Sequence, residues 1–432
     1  MAGEWQQHSV SALIERGALI VGDGYRAKNE ELSSRGLPFA RAGNINGGFR
    51  FDDADHFPEA NIERVGNKVS QPGDVVFTSK GTVGRFAFVR PATPRFVYSP
   101  QLCFWRSLDL ELIDPRFLFF WMSGREFFVQ FKGVAGQTDM AEYVSLADQR
   151  RMHITLPPLD EQRAIAHILG TLDDKIELNR RMSETLEAMA RALFKSWFVD
   201  FDPVRAKAEG RDPGLPQPLA DLFPDSFEDS ELGEIPRGWE VGCVDDEFEL
   251  TMGQSPPGHT YNEVGDGLPF YQGRADFGFR FPTRRVYCTA PTRLAKKDDT
   301  LISVRAPVGD INMAAEDCAI GRGVAAARHK TGSRSYTFQF MCGLDEVFGR
   351  FEAEGTVFGS IGKKDFHAIP CVIPPRIVVS AFERLCSALD SRIETNERES
   401  RTLASLRDAL LPKLISGELR VKDAEKFIGG NT

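Results

Sequence analysis

Two long stretches of the chain carry apolar residues at helical spacing. In each stretch, apolar side chains recur at steps of three or four residues, with one polar interruption. A stripe with that period lies along one face of an α-helix, so each stretch predicts a long amphipathic helix. In the second stretch, Pro412 disturbs the pattern. The apolar positions are Ile165, Ile168, Leu172, Ile176, Met182, Leu186, Met189, Leu193 and Trp197 in the first stretch, and Phe382, Leu385, Leu389, Ile393, Leu403, Leu406 and Leu410 in the second.

The two predicted helices can bury their stripes against each other. Between Glu161 and Asp202 there is no proline and a single glycine, Gly170, so about 40 residues can be helical over about 60 Å. A helix of that length needs a partner for its apolar face. We predict that the two helices pair through Leu172, Ile176, Leu186 and Leu193 of the first and Leu389, Ile393, Leu403 and Leu410 of the second.

The polar interruptions are Asn179 and Asn396, which occupy equal positions in the two stripes. A single asparagine inside a helix seam can fix the pairing register at some cost in stability. The alternative is that both side chains lie just outside the seam, in water. The sequence leaves both interpretations open.

The chain contains one internal duplication. With an offset of 217, residues 172–193 match residues 389–410 at 11 of 22 positions, where unrelated sequences would match at roughly one or two. Blocks farther upstream stay in the same order while the offset drifts from 231 to 217. The chain therefore consists of two copies of one unit, and the second copy has lost residues between its elements.

The segment before each long helix has a different pattern. Short β-type runs occur at 74–78, 85–89 and 300–304, among glycine-rich turns and many aromatic residues. These features predict an α/β unit in front of each helix. A polar, proline-rich stretch at 202–234 separates the two copies and predicts a long connector.

The composition is that of an ordinary globular protein, with 42% hydrophobic and 27% charged residues. No run approaches the roughly 18 uninterrupted apolar residues of a membrane span, and the N-terminus has neither a basic nor an apolar signal region. Seven cysteines lie far apart, without metal-ligand spacing. We therefore expect a cytoplasmic protein with reduced cysteines, no bound metal and no membrane partner.

The net charge of -9 argues against a general binder of nucleic acid. Non-specific affinity depends on neutralising phosphates, which an acidic protein does poorly. A sequence-specific DNA reader is still compatible with this charge, because basic residues can concentrate on one face while acidic helices face protein partners.

Several motifs carry a resemblance to a known family. GQSPPGHTYN at 253–262 is followed by GLPFYQG at 267–273, and the first copy has GLPFARAGNI at 36–45. LPPLDEQR at 156–163 leads into the first helix, and GEIPRGW at 233–239 opens the second copy. In this order, with a duplicated helix, the chain resembles the specificity subunits of type I restriction–modification enzymes over essentially its full length.

The resemblance implies an α/β (α+β) fold with two pseudo-repeated α/β target-recognition domains, separated by two long antiparallel coiled-coil helices. The start of the second helix departs from the family pattern, because IPPRIVV from Ile373 lacks the Glu-Gln pair. The expected boundaries are 1–155 for the first recognition domain, 156–202 for the central spacer helix, 203–232 for a linker, 233–373 for the second recognition domain, 374–420 for the C-terminal spacer helix and 421–432 for a tail.

The resemblance also implies a chain without catalytic chemistry of its own. Each recognition domain would read one half of a split double-stranded DNA site, while the helix pair would fix the gap and dock two methyltransferase subunits. Those subunits would use S-adenosylmethionine, and restriction and translocase subunits that use ATP and Mg would join them. This chain itself would bind no cofactor.

Two other functions are weighed against this one. The first is a coiled-coil assembly scaffold that does not read DNA. The second is a methyltransferase or nuclease, which would need a cofactor-binding unit. GRGVAA from Gly321 fits a dinucleotide fingerprint only loosely, because no crossover helix pattern follows it.

Candidate DNA contacts lie in the turns that follow equivalent strands of the two copies. Base edges are recognised by Arg, Lys, Asn or Gln side chains with bidentate reach, on firmly held turns. The alternative for any single candidate is a solvated loop position, and most true contacts should be made to phosphates. The candidates are Arg41, Asn44, Asn46, Lys80, Arg85, Gln137 and Thr138 in the first copy, and Gln272, Arg274, Arg305, Arg322, Ser360, Lys363 and Lys364 in the second.

Overall fold

The computed structural model describes residues 5–45, 48–79, 84–135, 144–354 and 359–421. Contacts between residues divide the chain into two compact units. Unit 1 comprises Met1–Glu177 with Ser400–Thr432, and unit 2 comprises Leu178–Glu399. Each unit therefore contains one part of each long helix.

Unit 1 consists of two small sheets, a two-stranded ribbon and several helices. Its elements, with the first long helix, are β1 (Gln6–Ser9), α1 (Val10–Glu15), β2 (Leu19–Asp23), β3 (Leu37–Ala40), β4 (His56–Phe57), β5 (Val75–Thr78), β6 (Phe86–Phe88), β7 (Val97–Tyr98), β8 (Leu102–Ser107), α2 (Pro115–Met122), α3 (Arg125–Ala135), α4 (Leu146–Arg150), β9 (His153–Leu156) and α5 (Leu159–Phe198). The strands β2, β8, β5 and β6 form an antiparallel sheet in that order. A second sheet has the order β4, β3, β7, and β1 pairs with β9.

The sequence explains why β5 and β8 lie in the centre of their sheet. All four residues of β5, VVFT, are buried, and so are five of the six residues of β8. A strand that is covered on both faces is apolar along its whole length rather than alternately. The following helix, α2, begins where the Asp114 carboxylate accepts hydrogen bonds from the backbone N–H groups of Arg116 and Phe117.

Among the described residues, unit 2 has more elements than unit 1. They are α6 (Asp202–Ala208), α7 (Gln217–Ala220), β10 (Phe227–Ser230), β11 (Gly233–Pro236), β12 (Glu240–Cys243), α8 (Val244–Glu247), β13 (Phe248–Met252), β14 (Tyr261–Asn262), β15 (Leu268–Tyr271), β16 (Tyr287–Cys288), β17 (Leu294–Ala295), β18 (Thr300–Val304), β19 (Val308–Met313), β20 (Cys318–Ile320), β21 (Val324–His329), α9 (Arg334–Cys342), α10 (Asp345–Glu354), α11 (Lys363–His367), β22 (Pro370–Ile373) and α12 (Arg376–Ile415). Short 3-10 helices occur in both units, at Asn29–Glu31, Ala42–Asn44, Glu59–Lys68, Gly258–Thr260 and Arg274–Asp276.

Unit 2 repeats the topology of unit 1. The sheet β13, β21, β18, β19 has the same strand order as β2, β8, β5, β6. The order β16, β15, β20 repeats β4, β3, β7, with β14 and β17 added at the edges, and β12 pairs with β22 as β1 pairs with β9. Even the parallel pair recurs, since β15 runs parallel to β20 as β3 runs parallel to β7. The predicted fold class of two pseudo-repeated α/β units with two long helices is confirmed.

One ion pair beside the central strand recurs in both units. Asp74 precedes β5 and binds Arg106 of β8, with its Oδ1 2.5 Å from the Arg106 Nε. Asp299 precedes β18 and binds Arg328 of β21, with its Oδ1 2.6 Å from the Arg328 Nε. The first pair is nearly inaccessible to solvent, whereas the Arg328 side chain is 36% exposed. The duplication therefore preserved the pair but not its burial.

The two long helices pack against each other within each unit. In unit 1, Leu172 of α5 and Leu410 of α12 belong to the same apolar core. In unit 2, the rings of Phe194 and Trp197 in α5 lie 5.8 and 6.1 Å from the ring of Phe382 in α12. The first part of α5 thus meets the last part of α12, and the last part of α5 meets the first part of α12. The pairing is antiparallel.

The predicted seam positions are all at least half-buried. Leu172, Leu410 and Ile393 are buried, and the half-buried ones are Ile176, Leu186, Leu193, Leu389 and Leu403. Three other members of the apolar stripes do not lie on the buried face, so their predicted place in the stripes is wrong. Met189, Leu385 and Leu406 are 54%, 42% and 37% exposed. Steps of three or four residues do not distinguish the buried face from the face beside it.

Pro412 does not end the second helix, which continues to Ile415. A proline in the last turn removes one backbone hydrogen bond but leaves few following residues to disturb. Leu414 and Ile415, beyond the proline, are buried in the core of unit 1. The apolar pattern therefore resumes after the proline, which the sequence did not predict.

The seam between the helices contains both polar interruptions. Asn179 and Asn396 are each 1% exposed. The Asn179 Nδ2 donates to the backbone oxygen of Asn396 at 3.4 Å and to the Glu399 carboxylate at 2.9 Å. The Asn396 Nδ2 lies 3.3 Å from the Ser183 hydroxyl. Of the two interpretations that the sequence leaves open, the structure shows the one inside the seam.

The proline-rich stretch after α5 is more ordered than its composition predicts. It contains α6, α7 and the hairpin of β10 and β11. Val204 and Phe223 are buried together with Trp197 and Trp239 in the core of unit 2. Its apolar residues, although widely spaced among prolines, pack this segment against the rest of unit 2.

Candidate nucleic-acid interface

Three turns of unit 2 line a cleft of about 780 Å³. They follow β15, connect β18 with β19, and connect β20 with β21. Because these strands occupy neighbouring positions in the two sheets, their connecting turns converge. We call this feature the unit 2 cleft; it is lined by Ser255, Tyr261, Gln272, Gly273, Arg274, Ala275, Arg305, Ala306, Arg322 and Gly323.

Four of the predicted contact residues line the unit 2 cleft, namely Gln272, Arg274, Arg305 and Arg322. All four are exposed. The turns hold their backbones firmly, since the Gly321 N–H donates to the Tyr271 carbonyl at 2.8 Å and thereby ties two of the turns together. Such a set presents guanidinium and amide groups from a rigid frame, which suits recognition of base edges and phosphates.

The charges of the unit 2 cleft are only partly compensated. The Arg274 Nε lies 3.2 Å from an Asp310 carboxylate oxygen, and both side chains are more than one third exposed. Within the described ranges, neither Arg305 nor Arg322 has a carboxylate at ion-pair distance. The cleft is therefore locally basic, although the chain as a whole has a net charge of -9.

Two cleft residues with polar side chains, Ser255 and Tyr261, were not predicted from the sequence. Both lie in the GQSPPGHTYN motif at 253–262, so the motif itself was the available signal. In the same segment, a side chain on Gly253 would lie 2.2 Å from the Gly321 carbonyl oxygen. The glycine therefore allows this segment to approach the turn between β20 and β21 closely.

The other three candidates of unit 2 do not line the cleft. Ser360 forms an isolated bridge with Arg305, beside the turn between β18 and β19. Lys363 and Lys364 are exposed in the first turn of α11. The structure thus separates a group of four cleft residues from a neighbouring group of three.

In unit 1, three candidates meet at the turn after β3. The Arg41 Nη1 lies 2.5 Å from the Asp55 carboxylate. The Arg85 Nη1 lies 3.4 Å from the Ala42 carbonyl oxygen, in the turn that Asn44 closes. This turn occupies the place of the turn after β15 in unit 2, because β3 and β15 are equivalent strands.

Asn44 is engaged within its own turn, and its role as a base contact stays a prediction. Its Oδ1 accepts from the Arg41 N–H at 2.7 Å, and its Nδ2 donates to the Arg50 carbonyl at 2.9 Å. Both ends of the amide are used locally, as is typical of asparagine in turns. Gln101 was missed, although its Oε1 accepts from the Ala42 N–H at 3.0 Å in the same turn.

Four candidates of unit 1 lie outside the described residues, namely Asn46, Lys80, Gln137 and Thr138.

The described ranges contain no group of three or more His, Cys, Asp or Glu side chains that could hold a metal ion. Within the same ranges, none of the helices is both long and apolar enough to cross a membrane. Burial raises the pKa of the thiols of Cys318, Cys342, Cys371 and Cys386 to about 12, so they stay protonated at neutral pH.

Comparison with known proteins identifies the family. A family profile described as Type I restriction modification DNA specificity domain matches residues 19–188. The putative type I restriction enzyme MjaX specificity subunit of Methanocaldococcus jannaschii is 30% identical over 357 residues, which cover 81% of this chain and 79% of that protein. The type I restriction enzyme HindI specificity subunit of Haemophilus influenzae is 24% identical over 406 residues, covering 82% of this chain and 88% of that protein.

A solved structure agrees with these matches at the level of the fold. The type I restriction–modification system S subunit from M. genitalium has a TM-score of 0.57 at 15% sequence identity, covering 95% of this chain and 96% of that one. The chain belongs to the specificity subunits of type I restriction enzymes.

Proposed function

We propose that this chain reads a bipartite double-stranded DNA target, with one half-site for each unit and a fixed gap between them. The observation that carries the proposal is the duplication itself. Two units of one topology present turns of different chemistry at equivalent positions, with Gln272, Arg305 and Arg322 in unit 2 and Arg41 and Arg85 in unit 1. Equivalent frames with different side chains suit two half-sites of different sequence.

The paired helices would dock two copies of one methyltransferase subunit. Thr185, Met189 and Ala192 form an exposed strip on α5, at steps of three and four residues. The offset of 217 maps this strip onto Thr402, Leu406 and Ala409 of α12, which are also exposed. Two strips of nearly the same sequence suit two copies of one partner, and their central apolar residues give each strip an area to bury.

The chemistry would belong to the partners and not to this chain. The methyltransferase subunits would bind S-adenosylmethionine, and restriction and translocase subunits would use ATP and Mg in the cytoplasm. The partners would also supply many of the phosphate contacts, since this chain has a net charge of -9. In this proposal the chain is a non-catalytic specificity subunit.

A domain exchange tests the proposal. The full chain is co-expressed with its methyltransferase partner, and the methylated sites in DNA are sequenced before and after residues 1–155 are exchanged for those of another specificity subunit. The proposal predicts a bipartite motif in which the exchange alters one half-site only. An exchange that alters both half-sites would contradict it, and the absence of any sequence motif would favour a coiled-coil assembly scaffold.

A further inference from the structure

A short motif of the duplicated units occurs in two different environments. The sequence Gly-Phe-Arg-Phe stands at 48–51 and again at 278–281. The arginine of the first copy, Arg50, is exposed at the surface of unit 1. The arginine of the second copy, Arg280, is 1% exposed and is among the largest fully buried side chains. The same motif is therefore buried at its arginine in unit 2 and exposed at its arginine in unit 1.

Arg280 connects both long helices within unit 2. Its Nη1 lies 2.8 Å from the Asp390 carboxylate on α12, and its Nη2 donates to the Glu187 carboxylate on α5. Its backbone N–H donates to the Glu397 carboxylate on α12 at 3.0 Å. The guanidinium carbon lies 3.9 Å from the centre of the Phe338 ring, a cation–π distance. One side chain of the β-rich part thus contacts both helices of the seam.

The electrostatics keep this arginine charged. Burial alone would lower the pKa of Arg280, but the attraction of Glu187 and Asp390 outweighs burial and raises the pKa. The two carboxylates are themselves nearly buried, at 11% and 4% exposure of their side chains. Without the arginine, two negative charges would face each other across the seam in a poorly solvated place, which is strongly unfavourable.

The loop that carries Arg280 also carries residues of the unit 2 cleft. The Gln272 N–H donates to the Asp276 carboxylate at 3.2 Å, and the Asp276 carbonyl accepts from the Thr283 N–H at 2.7 Å. The Arg280 carbonyl in turn accepts from the Met313 N–H of β19 at 2.8 Å. Residues 272–283 are therefore one closed loop, with cleft residues at its start and Arg280 near its end.

In unit 1, a helix arginine binds the carboxylate that corresponds to Asp390. Asp173, which the offset of 217 places at the position of Asp390, binds Arg407 of α12 at 2.7 Å. The residue of α5 that corresponds to Arg407 is Ala190, so α5 has no arginine at that position. In unit 2 the loop 272–283 supplies the cation instead, through Arg280. The two units therefore differ in the element that binds this carboxylate.

We propose that Arg280 is a positioning residue, which fixes the loop 272–283 on the helix seam and thereby sets the orientation of Gln272 and Arg274 in the unit 2 cleft. The proposal rests on the proposed function in DNA reading. It implies that the half-site read by unit 2 depends on Arg280, whereas the half-site read by unit 1 does not.

The test uses the full chain, co-expressed with its methyltransferase partner. Methylation is sequenced on a DNA library that contains every single-base variant of each half-site and a range of gap lengths. The variant Arg280→Met removes the cation and keeps much of the side-chain volume. Its control, Arg284→Met, removes an arginine from the same region that is 51% exposed and pairs with Glu316.

Arg280→Met is expected to reduce discrimination against wrong bases by about ten-fold at the half-site of unit 2, because one well-placed bidentate contact contributes about that much. Discrimination at the half-site of unit 1 and the preferred gap stay as in the wild type, and Arg284→Met changes neither. Unchanged discrimination at the half-site of unit 2, or an equal loss at both half-sites, would overturn the proposal.

A second variant keeps the test decisive if Arg280→Met does not fold. Arg280→Met combined with Glu187→Gln and Asp390→Asn also removes the charges of the two carboxylates that Arg280 binds, while the loop remains without its arginine. The proposal predicts that this triple variant folds and still discriminates poorly at the half-site of unit 2. Full wild-type discrimination would show that Arg280 only neutralises the carboxylates. If DNA methylated with the wild-type chain shows no bipartite motif, the proposed function is refuted. That result differs from both outcomes for the triple variant.

Discussion

The buried pair of Asp74 and Arg106 provides a quantitative test of the fold of unit 1. The Arg106 Nε and Nη2 lie 2.5 and 2.7 Å from the two carboxylate oxygens of Asp74, and the Tyr98 hydroxyl donates to the same carboxylate at 2.5 Å. Burial raises the pKa of Tyr98 well above its ordinary value, and the charge of Asp74 raises it further. The tyrosine therefore stays protonated as a hydrogen-bond donor.

The substitution Arg106→Met leaves the buried Asp74 carboxylate without its cation. Removing one partner of a buried ion pair costs about 3–5 kcal/mol of stability, because the remaining charge has lost its compensation. The equivalent change in unit 2, Arg328→Met, should cost less, since the Arg328 side chain is 36% exposed and water already screens this pair in part. The double variant Asp74→Asn with Arg106→Met should recover most of the loss, because no buried charge then remains.

The free energies of unfolding are measured by urea denaturation, and hydrogen exchange of individual backbone amides locates the loss. We expect the amides of β5 and β8 to lose protection in Arg106→Met, while those of β18 and β21 keep it. A cost for Arg106→Met below about 1 kcal/mol, or equal to the cost of Arg328→Met, would refute the reasoning from burial.

Three further changes have expected outcomes. Arg322→Gln should lower discrimination at one base pair of the unit 2 half-site by about ten-fold in a methylation assay, and an unchanged motif would exclude a base contact there. Replacing Asn179 and Asn396 by leucine should raise the free energy of unfolding by about 1 kcal/mol and produce mixed oligomers in size-exclusion chromatography; a less stable, uniform monomer would contradict a role in register. Hydrogen bonds from Arg116 are the largest cause that lowers the pKa of Asp174. The charged carboxylate of Asp174 therefore stabilises the fold above about pH 4, and this contribution is lost as the pH falls through the lowered pKa. Asp174→Asn should therefore be less stable than the wild type at pH 7 but equal to it at low pH in urea denaturation, and a difference independent of pH would contradict this.

The architecture could be predicted because the two copies can be aligned in the sequence. The helical period and the repeated blocks identify two units and two helices, and the repeat places the turns after β15 and after β3 at equivalent positions. Turns at the same ends of neighbouring strands converge, so Gln272, Arg305 and Arg322 meet in one cleft. The strand topology alone is therefore enough to predict that these three residues lie close together.

The remaining features depend on contacts between distant residues, which the sequence pattern does not encode. Arg280 lies 93 residues from Glu187 and 110 from Asp390, and no period connects them. Asn44 looks the same in sequence whether its amide faces solvent or closes its own turn. The exposure of Met189 depends on the exact angle at which the helices meet, to which a stripe of apolar residues is insensitive.

The central claim is that two units on a continuous helix pair read two half-sites at a set separation. It is tested most directly by duplicating seven residues in each helix, 177–183 in α5 and 395–401 in α12, so that the antiparallel seam is lengthened in register and keeps Asn179 and Asn396. Seven helical residues span about 10 Å, or about three base pairs of B-form DNA. Sequencing of methylated sites should then show both half-sites unchanged and a gap longer by about three base pairs. An unchanged gap, or a folded complex that recognises different half-sites, would contradict the claim.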